Sequence, residues 1–443
     1  MADQKNEAAF LDLEIDVVQR PRPVRVRERH AAEFDHAVDG TPAQGFERVW
    51  TGRGLHLRQR TMNFDLTDEQ KAIQDLCRDF ARNEVAPQAE RNDREERFPY
   101  DLVSKMAELG LMGLPFPEEY GGAGADTVSY ALAVMEISHA DASTGITLAA
   151  HVSLGASPIF LFGTEAQKQK WLVPLAKGER LWGFGLTEPE AGSDAGNVQT
   201  KAELRDGRWV INGTKAFITN SGTDITGGTT ITAVTGMGPG GRKEISNFIV
   251  PQDTPGFTRS KKYKKMGWRA SDTRELSFVD AAVPEENLLG ERGQGLRQFL
   301  TTLDGGRISV AALSVGVALG AYDEAYKYAT QRRAFGQTIS KFQAIQFKLA
   351  DMLMEIEHAK LMVLKAAWEK DEGRPYELSA SLAKLYSGEV SRRVVNEALQ
   401  IHGGYGFMDE YPISRMYRDQ KINEIGEGTN EVQRLVIARM IGL

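Results

Sequence analysis

The chain reads as an α+β protein of several domains: an N-terminal α-helical domain, a middle antiparallel β-barrel and a C-terminal four-helix bundle. Three observations lead there. Apolar residues recur at helical spacing from Thr67 to Leu175. Short apolar runs cut by glycine and proline follow from Trp182. Long amphipathic segments return from about Gly293. The expected segments are 1–61, 62–181, 182–290 and 291–443.

Residues 1–61 differ from the rest. Ten Lys/Arg balance ten Asp/Glu there, so the chain's net charge of -7 belongs to the remainder. The tract Arg20-Pro21-Arg22-Pro23-Val24-Arg25-Val26-Arg27 is basic and interrupted by proline. A mitochondrial transit peptide is poor in acids, which this segment is not, and no apolar core of a secretory signal is visible. We expect a disordered extension, or sequence upstream of the true start, with the fold beginning at Met62-Asn63-Phe64.

Thr67 and Gln70 form a capping-box pattern. Ile73, Leu76, Cys77 and Phe80 follow at helical spacing, and Pro87 is expected to end the helix. Helical pattern recurs at 103–111, 128–138 and 166–175, with Gly121-Gly122-Ala123-Gly124 as a loop. In the middle, Arg208-Trp209-Val210-Ile211 reads as a strand and Asn212-Gly213 as a two-residue hairpin signal. Ala216-Phe217-Ile218-Thr219 then returns as its partner. Further strands are expected at 229–234, 248–250 and 275–279, giving a barrel or sandwich rather than a doubly wound sheet. Long helices are expected over 308–333, 343–370 and 378–401. The uncharged stretch 308–322 is too short and too rich in small residues for a membrane span, and reads as a buried helix. No internal repeat is visible.

Composition narrows the function. Apolar residues make up 41% and charged residues 26%, enough for a large core. The acidic balance argues against a general nucleic-acid binder. Cys77 is the sole cysteine, so disulfide scaffolds and cysteine metal clusters are out, and it reads as core packing. Seven histidines show no metal-ligand spacing, and no metal is expected. No nucleophile elbow or phosphate-binding loop is present.

Chemistry concentrates in five places. Glu427 stands between Gly426 and Gly428, just before an apolar-periodic helix. Glycines leave backbone open to a flat ligand. A carboxylate held there against an apolar substrate loses water, which raises its pKa toward a working value. The plainer reading is an acid favoured by a helix dipole. The run Phe184-Gly185-Leu186-Thr187-Glu188-Pro189-Glu190-Ala191-Gly192-Ser193-Asp194 leads a strand into a turn of amides and hydroxyls, suited to the edge of a heterocycle or simply to a Pro/Gly turn. Phe217-Ile218-Thr219 offers an aromatic ring and a hydroxyl, or a plain alternating strand. Arg332-Arg333-Ala334-Phe335-Gly336-Gln337, with Gln343, and Gln400-Ile401-His402-Gly403-Gly404 end helices in arginines and glycines. Arginine suits a pyrophosphate; the glycines also serve as a C-cap. Asp304-Gly305-Gly306-Arg307 is expected to open the first bundle helix, with Asp304 as a ligand group or a cap and Arg307 as a ligand group or a solvated side chain.

In their order along the chain the motifs resemble those of the acyl-CoA dehydrogenases, and most closely the short-chain, butyryl-CoA dehydrogenase-like flavoproteins. The resemblance runs from Asn63 to the C-terminus. It implies FAD as cofactor and Glu427 as the base that removes the α-proton of an acyl-CoA. It implies that Phe184, Leu186, Thr187 and Gly192 bind the flavin's polar edge, that Ser193 touches both cofactor and substrate, and that Phe217, Ile218 and Thr219 lie beside the ring. It implies that Arg332, Phe335, Gln343, Gln400, Ile401, Gly403 and Gly404 reach the adenosine diphosphate half from a neighbouring subunit. Thr429, Asn430 and Glu431 are expected at the cofactor, and Asp304, Arg307 and Gly428 at the substrate. The amide of Glu427 and a ribityl hydroxyl would face the thioester carbonyl.

The implied product is a trans-2-enoyl-CoA, with electrons passed to an electron-transfer flavoprotein and a homotetrameric assembly. The location is cytoplasmic in a bacterium, or the mitochondrial matrix in a eukaryote, with neither nucleic acid nor membrane as partner. The expected substrate is a short- to medium-chain acyl-CoA. Alternatives are a branched short chain, an oxidase using oxygen, a plain helical bundle, or a non-catalytic DNA-associated member of the fold. Three departures bear on this. Phe217 stands where many members carry tryptophan. Gly426 stands where straight-chain enzymes carry tyrosine or isoleucine. Gly306 stands where isovaleryl and long-chain enzymes keep their base, which agrees with Glu427 as the base here. No arginine lies in 140–153, against a dicarboxylyl substrate. Glu190, where glycine is common, has no role the sequence supports.

Overall fold

The structure, a computed structural model, describes residues 63–443, so the expected extension falls outside the described residues. Thr67 Oγ1 accepts from the Gln70 amide at 3.1 Å and Gln70 Oε1 from the Thr67 amide at 3.0 Å, so the capping box forms and starts α1 (Asp68–Phe80). Pro87 does not end the helical run. A π-helical turn, Ala81–Val85, follows α1, and Pro87 falls in the first turn of α2 (Ala86–Arg94), where its missing N–H costs no helical bond. Next come α3 (Tyr100–Glu108), α4 (Thr127–Ala140) and α5 (Ala142–Ala150), the last two capped by Asp126 and Asp141. A second π turn, His151–Ala156, joins α5 to α6 (Ser157–Phe162). The helix expected at 166–175 is α7 (Glu165–Gln167), a π turn and α8 (Val173–Ala176).

The middle region is an open eight-stranded sheet. Its strands are β1 (Leu181–Gly185), β2 (Lys201–Arg205), β3 (Arg208–Thr219), β4 (Thr226–Met237), β5 (Lys243–Pro251), β6 (Phe257–Arg259), β7 (Thr273–Pro284) and β8 (Leu288–Leu289). The order is β6-β7-β3-β2-β4-β5-β8, with β1 also on β4. The barrel expectation is therefore corrected: β6 and β8 are free ends, and β4 pairs in parallel with both β1 and β2. Alternating strands specify a buried face but not whether the sheet closes.

The hairpin at Asn212-Gly213 is also corrected. β3 runs straight through it, and the register against β7 shifts between Ile211 and Gly213, marking a β-bulge. The real two-residue turn is Asp206-Gly207, with φ of 47° and 72°, which joins β2 to β3 through the Arg205–Arg208 pair. Both residues take the positive φ that such a turn requires.

The C-terminal region is helical: α9 (Gly295–Gln331), α10 (Gln343–Asp371), α11 (Glu377–His402), α12 (Pro412–Asp419) and α13 (Asn430–Met440). The three long helices pack on one another, α13 rests on α11, and α4 joins against α9. Glycine permits that last contact. A Cβ on Gly316 would stand 2.3 Å from the Met135 carbonyl oxygen, and one on Gly320 2.4 Å from that of His139. The helical parts share one apolar core; the sheet has its own around Trp209, Phe248 and Phe278. Two spans, Ala142–Phe162 and Gly295–Gln331, are long and apolar enough to cross a membrane, yet most of each is buried in protein. The stretch 308–322 is the middle of α9, the buried helix expected.

A charged cluster ties the three regions together. Asp419 Oδ1 accepts from the Trp268 amide at 2.6 Å, Arg418 pairs with Asp93, and Arg415 Nη2 donates to the Ala140 carbonyl at 3.0 Å.

Candidate active site

Glu427 occupies a left-handed turn just before the α13 cap. Its φ is 55° and that of Gly428 is 89°. A non-glycine residue persists in that region only when its surroundings hold it there. Two buried side chains do so. Lys384 Nζ, from α11, donates to the Gly428 carbonyl at 2.7 Å and faces Asn430 Oδ1 at 3.4 Å. Gln433 Nε2 reaches back from α13 to the carbonyls of Glu427 and Gly428, at 3.2 and 3.1 Å. Thr429 caps α13, its hydroxyl accepting from the Val432 amide at 3.3 Å.

The turn directs the carboxylate inward. The residue is part-buried, and its Oε2 is enclosed with no hydrogen-bond partner among the described residues. Gly306 stands opposite: its missing Cβ would lie 2.3 Å from Oε2 and 3.1 Å from Leu154 Cδ2. Burial raises the Glu427 carboxyl to about 7, opposed by the cations of Lys384 and Arg307. Beside it, Ser309 donates to Ser153 Oγ at 3.0 Å, and burial pushes the Tyr130 phenol up.

Asp304 and Arg307 do not open a helix. α9 begins at Gly295, so they lie more than two turns inside it. Arg307 is buried, pairs with Asp304 and donates to Ser381 Oγ at 3.2 Å, which rules out a solvated arginine and a capping Asp304. A surface groove is lined by Lys243, Ile245, Leu296, Arg297, Leu300, Thr301 and Asp304.

A second set of predicted residues meets on the sheet. Phe184 of β1 stacks on Phe299 with ring centroids 4.1 Å apart. Leu186 is buried, and the Thr187 carbonyl accepts from the Ala216 amide at 2.8 Å, next to Phe217. The β3–β7 register breaks between Lys215 and Ile218. That bulge puts Phe217 at φ 61°, the residue 67% exposed and its ring 5.5 Å from that of Tyr263, while Ile218 turns into the sheet core and Thr219 is part-buried. Gly192 and Ser193 lie exposed on the following loop. The sequence reading missed what holds this turn. Lys215 is fully buried and donates to Glu188 Oε1 at 2.6 Å, Thr232 Oγ1 at 2.9 Å and the Leu186 carbonyl at 3.4 Å. Burial works against ionisation of Glu188, yet Lys215 and the amides of Gln199 and Thr200 keep its carboxyl below the ordinary value.

The third set lies apart from these. Arg332 follows α9 and sits over the Tyr405 ring at 5.3 Å, beside Gly403 and Gly404 at the end of α11. Phe335 projects from the tip of a small hairpin, β9 (Arg333–Ala334) and β10 (Gln337–Thr338), with 95% of its surface exposed. Gln343 and Gln400 are exposed and Ile401 is buried. Of the residues after the turn, Asn430 is buried against Lys384 and Glu431 is exposed.

A residue that sequence reasoning passed over is Lys384. Its signal was a lysine on the small-residue face of α11, among Ala380, Ala383, Ser387 and Gly388.

The described residues thus present an enclosed carboxylate, raised by burial to about 7, and an exposed aromatic ring on the sheet. Comparison with known proteins names the class. The chain matches the acyl-CoA dehydrogenase N-terminal domain over residues 67–179, the middle domain over 183–281 and the C-terminal domain over 293–442. It is 57% identical over 380 residues to "Probable acyl-CoA dehydrogenase YngJ" of Bacillus subtilis, covering 86% of this chain and 100% of that protein. The solved butyryl-CoA dehydrogenase of Megasphaera elsdenii matches at TM-score 0.83 and 47% identity, over 86% of this chain and 100% of that one. An acyl-CoA dehydrogenase complexed with FAD, from Bacillus anthracis, matches at TM-score 0.79 and 40% identity, over 85% and 68%. The chain belongs to the acyl-CoA dehydrogenase family and is an FAD-dependent oxidoreductase acting on CH–CH bonds.

Proposed function

We propose that this enzyme dehydrogenates a short- to medium-chain acyl-CoA to the trans-2-enoyl-CoA, with Glu427 as the base. The observation that carries the reading is Glu427 Oε2, enclosed, unpartnered and facing the space where Gly306 has no side chain. Such a carboxylate is half-protonated near neutral pH, which suits a base at work there.

The residues present fit a flavin. Phe217 offers an exposed ring on a strained strand position, and the Leu186-Thr187 turn is locked from behind by Lys215. Phe184, Leu186, Thr187, Gly192, Ser193 and Phe217-Ile218-Thr219 would hold the ring system. Arg332, Phe335, Gln343, Gln400, Ile401, Gly403 and Gly404 of a neighbouring copy would hold the adenosine diphosphate half, with Thr429, Asn430 and Glu431 near the cofactor. When bound, FAD supplies the acceptor for the β-hydrogen as hydride.

The chain's own groups do the rest. Glu427 takes the α-proton. The Glu427 N–H has no acceptor among the described residues, so it is free to face the thioester carbonyl as negative charge builds there. Leu154 borders the same space beside Gly306, an apolar wall on the enclosed side of the carboxylate. Ser193, Asp304, Arg307 and Gly428 would position the substrate, and Arg297 and Lys243 in the groove that Asp304 also lines have the charge to take the phosphates of CoA.

Family resemblance supports an electron-transfer flavoprotein as acceptor, a homotetramer, and a cytoplasmic or, in a eukaryote, mitochondrial matrix setting. A branched short-chain substrate is the second reading, favoured by Gly426. A Cβ there would meet Ile422 only at ordinary contact distances, 3.4 and 3.9 Å, so packing does not demand the glycine. Anaerobic bleaching of the bound flavin by a panel of straight and branched acyl-CoA thioesters tests cofactor, reaction and chain preference together. Absence of bleaching by every member would end the reading.

A further inference from the structure

The inward face of α11 is lined by small residues, Ala380, Ala383, Ser387, Gly388 and Ser391. Lys384 lies among them with no exposure to solvent. An ammonium is expensive to bury unless its partners replace water. Yet Lys384 forms no ion pair among the described residues. Its two partners, the Gly428 carbonyl at 2.7 Å and Asn430 Oδ1 at 3.4 Å, both belong to the segment that carries Glu427. Gln433 donates to the same Gly428 carbonyl from the other side, at 3.1 Å. That carbonyl belongs to the second of two consecutive left-handed residues. The turn is thus held at the point where it would otherwise relax.

We propose that Lys384 is a positioning residue for the base: its grip on the Gly428 carbonyl fixes the turn that points Glu427 inward and sets an ammonium on the segment that carries the carboxylate. This rests on the reading of Glu427 as the base. The charged and titratable groups facing Glu427 are Lys384 from α11, Arg307 from α9 and Tyr130 from α4. Arg307 already shares its charge with Asp304, whereas Lys384 has only neutral partners and is free to act on Glu427. Glu424, Glu431 and Arg307 in turn face Lys384. Without the ammonium, the carboxylate holds its proton more tightly, so the base becomes available only at higher pH.

The test uses the FAD-loaded full chain and the variants Lys384→Met, Lys384→Gln, Lys384→Arg and Glu427→Gln. Anaerobic flavin reduction by butyryl-CoA is followed by stopped flow across about two units either side of the Glu427 midpoint near 7. Binding of crotonyl-CoA is read separately from the flavin spectrum. Lys384→Met is expected to move the midpoint alkaline by about one unit and to weaken the crotonyl-CoA spectral change. Lys384→Gln, which keeps a donor for the Gly428 carbonyl, is expected to move the midpoint while keeping more of the plateau rate. Lys384→Arg is expected to return the midpoint toward wild type. A rate lowered equally at every pH in both neutral variants, with Glu427→Gln inactive, overturns the proposal alone. A Glu427→Gln enzyme that reduces its flavin at the normal rate removes the base reading and the proposal with it. Should Lys384→Met not retain FAD, the Lys384→Gln midpoint decides.

Discussion

The Cβ that Gly306 lacks would stand 2.3 Å from Oε2 of Glu427, so two residues far apart in the chain open onto one slot. A carboxylate can enter that slot from α9 or from the turn before α13, but there is room for one. Gly306→Ala should therefore displace the base, lowering the rate of flavin reduction while FAD content holds. Gly306→Glu combined with Glu427→Gly should recover part of the activity that each change alone destroys. Single-turnover kinetics of the three variants check this; a fully active Gly306→Ala enzyme would contradict it.

Glu427→Gln keeps the shape of the turn and removes the proton acceptor. Flavin reduction by a good acyl-CoA should fall by about 10²–10⁴-fold with FAD still bound. Absorbance of the bound flavin under anaerobic mixing measures it.

The same substitution carries a pH signature in stability. The Glu427 carboxyl is raised from 4.5 to about 7 by burial, so the folded chain holds its proton more tightly than the unfolded chain. The resulting stabilisation is fully present below 4.5 and is lost as pH rises through about 7. Glu427→Gln cannot ionise and escapes that loss. Its Tm should gain on the wild type between those two values and level off above the upper one. Thermal melts of both proteins across this window decide, and a constant difference would show that the carboxylate is not enclosed.

Lys215 and Glu188 form a pair with no access to water. Removing one member leaves the other's charge buried, so Lys215→Met should cost about 3–5 kcal/mol and release flavin. Lys215→Met with Glu188→Leu should regain stability but not flavin affinity, because the Leu186 carbonyl and the Thr200 amide lose their partners. Denaturant melts and flavin content separate the two effects.

Much of this was legible in the sequence, for identifiable reasons. The Thr67–Gln70 box, the long C-terminal helices and the glycine-flanked Glu427 carry local signatures that the structure keeps. Asn212-Gly213 misled because a bulge and a hairpin both favour glycine, while the true turn, Asp206-Gly207, had an equally good signature six residues earlier. Pro87 misled because a π turn ahead of it restarts the helix. Arg307 was open to reading as solvated because the start of α9 at Gly295 has no side-chain cap to mark it. Lys384 was invisible because lysine is ordinarily a surface residue, and only the turn folding back from α13 supplies its partners.

A last preference concerns the acyl end. Gly426→Ile adds bulk that Ile422 tolerates. It should lower the rate with branched acyl-CoA more than with straight-chain acyl-CoA, a ratio that competition assays report. Equal losses on both would dismiss Gly426 as a selectivity residue.

Gly316 and Gly320 bring the backbones of α9 and α4 into touch, with carbonyl oxygens where side chains would be. Such a seam leaves no room for a side chain at either place, so any larger residue would force the two helices apart. The sheet is fastened to the helices at several points as well: Asn220 Nδ2 donates to the Thr147 carbonyl and Asn247 Nδ2 to that of Gly295, both at 3.0 Å, and the Trp268 amide donates to Asp419 at 2.6 Å.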